Sequence, residues 1–311
     1  MHKVIFSVIV LLLLVQFGSG QRYGESDDFS YALKLFNEGF FDIAAQQFNI
    51  FVDKYPASDK VPEARFYLGL SLYNSGDYEN ARVEFQDMAV RFPDHNRSAE
   101  AWVKVGDSYV KINKLAEAAR AYETVKVLYP QHPQAPTALY QAAAIYSRDQ
   151  QFAKAELTIK DFLDRYPESS IYPNGRLLFA DLLSEKQDYD QALSEYDKVL
   201  KSGADASIMA QAYLGIGRLY SKLGQFERAK ENFQTILSRY PSTTAAFPAL
   251  LSTSEILAVS GDFENAILFL GKDVLPNQHP CRSIILREKK IMCRVNAIMM
   301  RMRTANKYLR C

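Results

Sequence analysis

Residues 55–93 read YPASDKVPEARFYLGLSLYNSGDYENARVEFQDMAVRFP, a stretch that begins and ends with an aromatic residue followed by proline. The same aromatic–proline step returns every 37 residues, is absent once, and reappears 74 residues later. A fixed period of this size is typical of stacked copies of one supersecondary unit rather than of a single globular core. The steps are Tyr55-Pro56, Phe92-Pro93, Tyr129-Pro130, Tyr166-Pro167 and Tyr240-Pro241.

Other positions obey the same period, and we call a set of positions that are 37 residues apart a column. One column holds only small residues, a second holds only alanine, and bulky apolar residues lie three before and four after each alanine. Unrelated columns stay in phase through seven units, so the period describes the fold itself. The small column is Gly69, Gly106, Ala143, Ala180, Gly217 and Ser254, and the alanine column is Ala44, Ala81, Ala118, Ala155, Ala192, Ala229 and Ala266.

Each unit is predicted to form two antiparallel helices. In the second unit, apolar residues recur at helical spacing over residues 62–74, which predicts the first helix. Gly76 is predicted to close it in the left-handed conformation, as are Gly224 and Gly261 in their units. The second helix is predicted over residues 78–91 and ends at the aromatic–proline step, because proline cannot continue a helix. Small residues are expected where the two helices cross closely.

These residues resemble the tetratricopeptide repeat, whose small, aromatic, alanine, aromatic and proline positions fall on Gly69, Leu72, Ala81, Phe85 and Pro93. The usual unit has about 34 residues, and the longer spacing resembles repeat proteins of the bacterial envelope. Two such families are the periplasmic coordinator of the Tol–Pal system and the repeat lipoprotein of the outer-membrane assembly machinery. The lipoprotein family needs a cysteine just after its signal peptide, and none stands there, which argues against the lipoprotein identity.

The sequence therefore predicts an all-α, right-handed superhelical solenoid of about seven antiparallel helix hairpins with a 37-residue period. We expect the repeat domain to span residues 21–271. Its concave groove, lined by the first helices, is implied by the resemblance to tetratricopeptide proteins.

The N-terminus has the pattern of a secretory signal over residues 1–20. A short basic start precedes an apolar segment from Val4 to Val15, which is too short to span a bilayer of about 30 Å comfortably. Gly18, Ser19 and Gly20 offer small residues at a cleavage site. We expect a cleaved signal and a periplasmic protein; the alternative is an uncleaved N-terminal anchor.

Residues 272–311 depart from the repeat pattern. They carry a net charge of +8, whereas residues 21–271 carry about −8. They also contain all three cysteines, Cys281, Cys293 and Cys311, whose spacing matches no zinc signature. Three interpretations stay open: a basic partner- or membrane-binding segment, a degenerate capping helix, or a segment outside the natural reading frame, which we favour. In the last case the natural protein continues beyond residue 271, and the tail is expected to be disordered.

The sequence contains no pattern of a catalytic, cofactor-binding or metal site. His95 and His132 are one period apart in equivalent loops and are expected to be polar linker residues. No phosphate-binding loop or serine elbow is present. We therefore predict no enzymatic activity, no cofactor, no metal and no small-molecule substrate. Nucleic acid is also an unsuitable partner, because the repeat body is acidic and exported.

By resemblance, the groove-facing columns would contact a partner. Unlike the core columns, they mix aromatic, polar and charged residues from unit to unit, as a recognition surface requires; a merely solvated face is the alternative. The sequence thus predicts a scaffold that binds envelope proteins or peptides, or alternatively a self-associating module or the first part of a longer protein. Membrane association would arise only through partners or an uncleaved signal, and a homo-oligomer is compatible with the pattern. The predicted groove residues are Phe66, Tyr73, Asn74, Asp107, Lys111, Tyr140, Arg148, Asp181, Arg218 and Lys222.

Overall fold

A computed structural model describes residues 24–266, residue 264 excepted. Within them the chain forms thirteen α-helices and no strand, which confirms the predicted all-α fold class. The helices are α1 (Glu25–Asn37), α2 (Phe41–Lys54), α3 (Val61–Ser75), α4 (Tyr78–Arg91), α5 (Ser98–Lys111), α6 (Leu115–Leu128), α7 (Ala135–Arg148), α8 (Phe152–Arg165), α9 (Tyr172–Glu185), α10 (Tyr189–Lys201), α11 (Ala206–Lys222), α12 (Phe226–Arg239) and α13 (Ala246–Val259).

The helix boundaries follow the sequence period. The second helices of the repeats, α2, α4, α6, α8, α10 and α12, all begin at positions 37 residues apart. The prediction for residues 78–91 is confirmed at both ends, and α3 is one residue longer at each end than predicted. The predicted signal peptide, the basic tail and its three cysteines lie outside the described residues. None of the described helices is both long and apolar enough to cross a lipid bilayer.

The helices fall into two compact units, which we call unit 1 (up to Asp149) and unit 2 (from Gln150). Unit 1 contains α1 to α7, and each of its helices packs against the next along the chain. Its core is rich in aromatic rings: Phe29 lies edge-on to Phe48 and Phe51 at centroid distances of 5.8 and 5.5 Å. Farther along, Phe66, Phe85 and Met88 are fully buried. Burial of each such side chain contributes about 1.5–3 kcal/mol.

Unit 2 contains α8 to α13, and α9 to α13 pack against their neighbours in chain order. Tyr196, Val199 and Leu219 form one buried cluster between α9, α10 and α11. Phe233 and Ile236 form a second with residues of α11 and α13. Tyr196 and Phe233 belong to the bulky column four residues after each alanine, so this part of the repeat pattern is satisfied by packing between consecutive helices.

The small column lies at close helix crossings, as predicted. A Cβ atom added at Gly69 would lie 2.7 Å from the ring of Phe85, and one at Gly106 would lie 2.6 Å from the ring of Tyr122. Ordinary van der Waals contact begins at about 3.4 Å. A larger side chain in this column would therefore separate the first helix from the second.

The turns between the two helices of a repeat share a left-handed residue. Gly76, Gly224 and Gly261 have φ values of 93°, 72° and 84°, which confirms the predicted caps. The same column also places Asn113, Gln150 and Gln187 in this conformation, with φ values of 60°, 60° and 65°. The turn geometry is therefore kept even where the sequence does not supply glycine.

The missing aromatic–proline step coincides with a different connection. After α10, Gly203 adopts a φ of 71°. The side chain of Asp205 then accepts hydrogen bonds from the backbone N–H groups of Ser207 (2.8 Å) and Ile208 (3.0 Å). This is an N-cap, which satisfies free donors at the helix start. The cap allows α11 to begin early and to reach 17 residues.

Candidate functional site

A cleft of about 450 Å³ opens on unit 1 along α3, α5 and α7, with Tyr122 of α6 at its base. We call it cleft 1. Its walls combine aromatic rings, an aspartate, two cations and an amide. The lining residues are Tyr73, Asp107, Val110, Lys111, Tyr122, Gln141, Ala144, Ile145 and Arg148.

Asp107 is the centre of a hydrogen-bond network in cleft 1. Its carboxylate accepts a hydrogen bond from the hydroxyl of Tyr122 at 2.7 Å and one from Lys104 Nζ at 2.9 Å. The Lys104 ammonium also lies over the ring of Tyr73, 5.5 Å from its centroid. Burial raises the pKa of Tyr122, and the Asp107 charge acts in the same direction, so this hydroxyl remains a donor at neutral pH.

A second cleft, of about 370 Å³, opens on unit 2 along α9 and α11 and is called cleft 2. The hydroxyl of Tyr196 donates a hydrogen bond of 2.5 Å to Asp181. Lys222 forms an ion pair of 3.0 Å with Glu185. Desolvation within the cleft raises the pKa of Asp181 to about 6, against the opposing effects of the Tyr196 hydroxyl and the Arg218 charge. The lining residues are Asp181, Ser184, Glu185, Tyr196, Gln211, Leu214, Gly215, Arg218, Lys222, Thr244 and Ala245.

The two clefts are built from the same columns, two repeats apart. Asp107 and Asp181 are equivalent, as are Tyr122 and Tyr196, and each aspartate accepts the hydrogen bond of its tyrosine. Where the buried ring is phenylalanine, the position fifteen residues earlier is not acidic: Leu70 precedes Phe85, and Arg218 precedes Phe233. A buried hydroxyl needs an acceptor, so the tyrosine and the aspartate occur together.

Seven of the ten predicted groove residues line one or other of the two clefts. Four of them line cleft 1: Tyr73, Asp107, Lys111 and Arg148. Three line cleft 2: Asp181, Arg218 and Lys222.

The other three predicted residues lie elsewhere. Asn74 is exposed and Tyr140 is half-buried, and neither belongs to the lining of cleft 1. The prediction for Phe66 is wrong. This side chain is 0% exposed, its ring lies edge-on to Phe85 at 5.6 Å, and the Arg97 guanidinium lies 4.8 Å above it. Because its ring packs against Phe85 of the second helix, Phe66 belongs to the core.

Sequence reasoning assigned Tyr122 and Tyr196 to the core and missed their hydroxyl groups at the cleft floor. Their rings are indeed buried, but each lines a cleft. The available signal was the aspartate fifteen residues before each tyrosine. Among the described residues, no group of three or more His, Cys, Asp or Glu side chains is arranged to hold a metal ion.

The helix hairpins and the small column at their crossings define the class of tetratricopeptide repeat proteins. A tetratricopeptide repeat family model matches residues 32–97. A second family model, YfiO, described as outer membrane lipoprotein, matches residues 98–259, just over half of the chain. The chain therefore belongs to the YfiO outer membrane lipoprotein family. The match begins at residue 98, so the expectation that this chain is not itself a lipoprotein, which rests on the missing cysteine after the signal, remains a prediction from the sequence.

Solved structures agree with the fold. A tetratricopeptide repeat protein from Parabacteroides merdae superposes with a TM-score of 0.59 at 16% identity, covering 89% of this chain and 98% of that one. The apo form of RapI superposes with a TM-score of 0.55 at 13% identity, covering 80% of this chain and 75% of that one. No curated protein sequence matches the chain significantly. At sequence identities this low, the superpositions show that the fold is shared and show nothing about function.

Proposed function

We propose that this chain is an exported, non-catalytic scaffold that binds segments of other bacterial envelope proteins in clefts 1 and 2. The observation that carries the proposal is the repeated cleft. The same columns form an aromatic, polar and charged cavity twice, in two units. Aromatic anchors beside charged groups are the composition of protein-binding surfaces.

The place of action follows from two supports. The family is that of an outer membrane lipoprotein, which places its members in the envelope. The first twenty residues have the basic, apolar and small-residue order of a secretory signal. A periplasmic scaffold is consistent with both.

Affinity capture from an envelope extract tests the proposal. The full chain is compared with a variant carrying Tyr73→Ala and Arg148→Glu in cleft 1, and with a variant carrying Arg218→Glu in cleft 2. Arg239→Glu is the matched control, because Arg239 is exposed on α12 and lines neither cleft. Captured proteins are identified and quantified by mass spectrometry.

We expect at least one envelope protein to be captured by the wild type and by Arg239→Glu and to be lost with a cleft variant. Capture that is equal for all four chains would contradict the role of the clefts. If only the bait is recovered and its mass by light scattering is that of a dimer, self-association replaces the scaffold proposal.

A further inference from the structure

We propose that cleft 1 binds a carboxylate of its partner segment between Lys111 and Arg148, whereas cleft 2 does not. This inference rests on the proposed function, because it specifies the chemistry of the segment that the scaffold holds. It follows from how the two equivalent clefts balance their charges.

The two cations of cleft 1 have no carboxylate partner among the residues that the structure describes. Within the described part of the chain, Lys111 forms no ion pair, and its ammonium lies 5.9 Å from the centroid of the Tyr78 ring. Arg148 is exposed and likewise forms no ion pair among the described residues, while its charge acts on the Tyr122 hydroxyl. Both side chains line the cleft from neighbouring first helices, α5 and α7.

The one carboxylate in cleft 1 is already engaged. Asp107 accepts the Tyr122 hydroxyl at 2.7 Å and pairs with Lys104 at 2.9 Å. Its charge is therefore balanced by Lys104, which leaves Lys111 and Arg148 as net positive charge in a cavity of about 450 Å³. A carboxylate guest would gain charge-assisted hydrogen bonds there, which are stronger than neutral ones.

In cleft 2, one of the two equivalent positions holds a carboxylate that belongs to the chain itself. The equivalents of Lys111 and Arg148, two repeats on, are Glu185 and Lys222. They form an ion pair of 3.0 Å. The spacing of 37 residues is the same in both clefts. In cleft 2 the carboxylate that pairs with the second cation therefore comes from the chain itself, whereas in cleft 1 a lysine stands at that position and the carboxylate would have to come from a guest.

Cleft 1 also supplies an additional donor for such a guest. Desolvation raises the pKa of Tyr73, and the nearby Asp107 charge acts in the same direction, so the Tyr73 hydroxyl keeps its proton at neutral pH. The guest is thus an acidic segment of another polypeptide, with the acid near Lys111 and Arg148 and apolar neighbours against Val110 and Ile145. Because both cations reach solvent, binding is expected to weaken with salt.

A selection from a displayed random-peptide library with the full chain as bait tests the inference. The most enriched peptide is then synthesised in two versions. The acidic version keeps its Glu and Asp residues, and the amide version carries Gln and Asn in their place. Binding of both peptides is measured by fluorescence anisotropy against the wild type and three variants. Lys111→Glu should form an internal pair with Arg148, as Glu185 does with Lys222. Ala144→Trp fills cleft 1 without changing its charge, and Arg239→Glu is the control.

We expect acidic peptides to be enriched and to bind about tenfold more tightly than their amide versions, which corresponds to one charge-assisted contact. Lys111→Glu should weaken the acidic peptide at least tenfold and leave the amide version nearly unchanged. Ala144→Trp should weaken both peptides, and Arg239→Glu neither.

The other outcomes separate the two proposals. If Lys111→Glu leaves the affinity of the acidic peptide unchanged while Ala144→Trp lowers it, the carboxylate site is overturned and the proposed function of the groove stands. Enriched peptides that no cleft variant affects, or no enrichment at all, would overturn both. An acidic peptide that loses binding equally with Arg239→Glu would show attraction to the overall charge, which also overturns the site.

Discussion

The hydroxyl of Tyr196 donates a hydrogen bond of 2.5 Å to the carboxylate of Asp181, and Tyr122 makes the same contact with Asp107 at 2.7 Å two repeats earlier. Each bond joins the core of a repeat to the surface of its cleft. The ring is packed among the helices, and the acceptor faces the cavity. The aspartates therefore have a structural partner as well as a place in the proposed binding surface.

Removal of the acceptor alone should destabilise unit 1 more than removal of the pair. Asp107→Leu leaves the buried Tyr122 hydroxyl without an acceptor, which costs about 1–3 kcal/mol. Combination with Tyr122→Phe reproduces the Leu70 and Phe85 combination of the preceding repeat and should return stability to within about 1 kcal/mol of the wild type. Urea unfolding followed by circular dichroism measures both variants. Simple addition of the two single effects would show that the hydroxyl and the carboxylate are not coupled.

Glycine should relieve the backbone strain of the non-glycine residues in the left-handed turns. Gln187 has a φ of 65°, a conformation that costs an L-residue about 1–2 kcal/mol and glycine little. Glycine also makes the unfolded chain more flexible, which offsets part of this gain. The net effect of Gln187→Gly should be to raise the free energy of unfolding by about 0.5–1 kcal/mol.

The neighbouring residue is the matched control for that change. Lys186 has a φ of −77°, so Lys186→Gly has no strain to relieve and should lower stability by about 0.5–1 kcal/mol. Thermal unfolding of the two variants measures the difference. If both glycines change stability in the same direction, the turn at residue 187 is not strained in solution.

The raised pKa of Asp181 predicts a pH-dependent effect of its removal. The pKa is about 6 in the folded protein, above the ordinary value of 3.8. The fold therefore binds this proton more tightly than the unfolded chain does, and the ionised carboxylate lowers stability. That cost is absent below about pH 4, grows as the pH rises, and is complete above about pH 6. Asp181→Asn, which still accepts the Tyr196 hydroxyl, should raise the melting temperature at pH 7.5 and have little effect at pH 4.

Differential scanning calorimetry at the two pH values measures this effect. Asp164→Asn, an exposed change on α8, is the control. Equal shifts of the melting temperature for Asp181→Asn at both pH values would show that the carboxylate has an ordinary environment.

Much of the fold was predictable because the same local sequence signals recur in successive repeats. An aromatic–proline step ends most of the second helices, and glycine closes several of the first. Because both signals are present around α3 and α4, the predicted boundaries of these two helices were correct to one residue. The turn at residue 203 and the left-handed Gln187 were not predicted, because the aromatic–proline step is missing at the first position and glycine is missing at the second. Seven of the predicted groove residues line a cleft because their columns recur with the period, whereas Phe66 packs against Phe85 in the core.

By itself, the sequence determined the period, the helical hairpins and which columns are small or bulky, because these depend on local backbone preferences and on apolar spacing. Only the tertiary structure decided how side chains from different helices meet. It placed the Tyr122 hydroxyl beside Asp107 and paired Glu185 with Lys222, and it gave Lys111 and Arg148 no ion pair with any described residue. Charge balance within a cleft is a property of three-dimensional neighbours, and residues that are 37 positions apart in the chain become neighbours only when the helices stack.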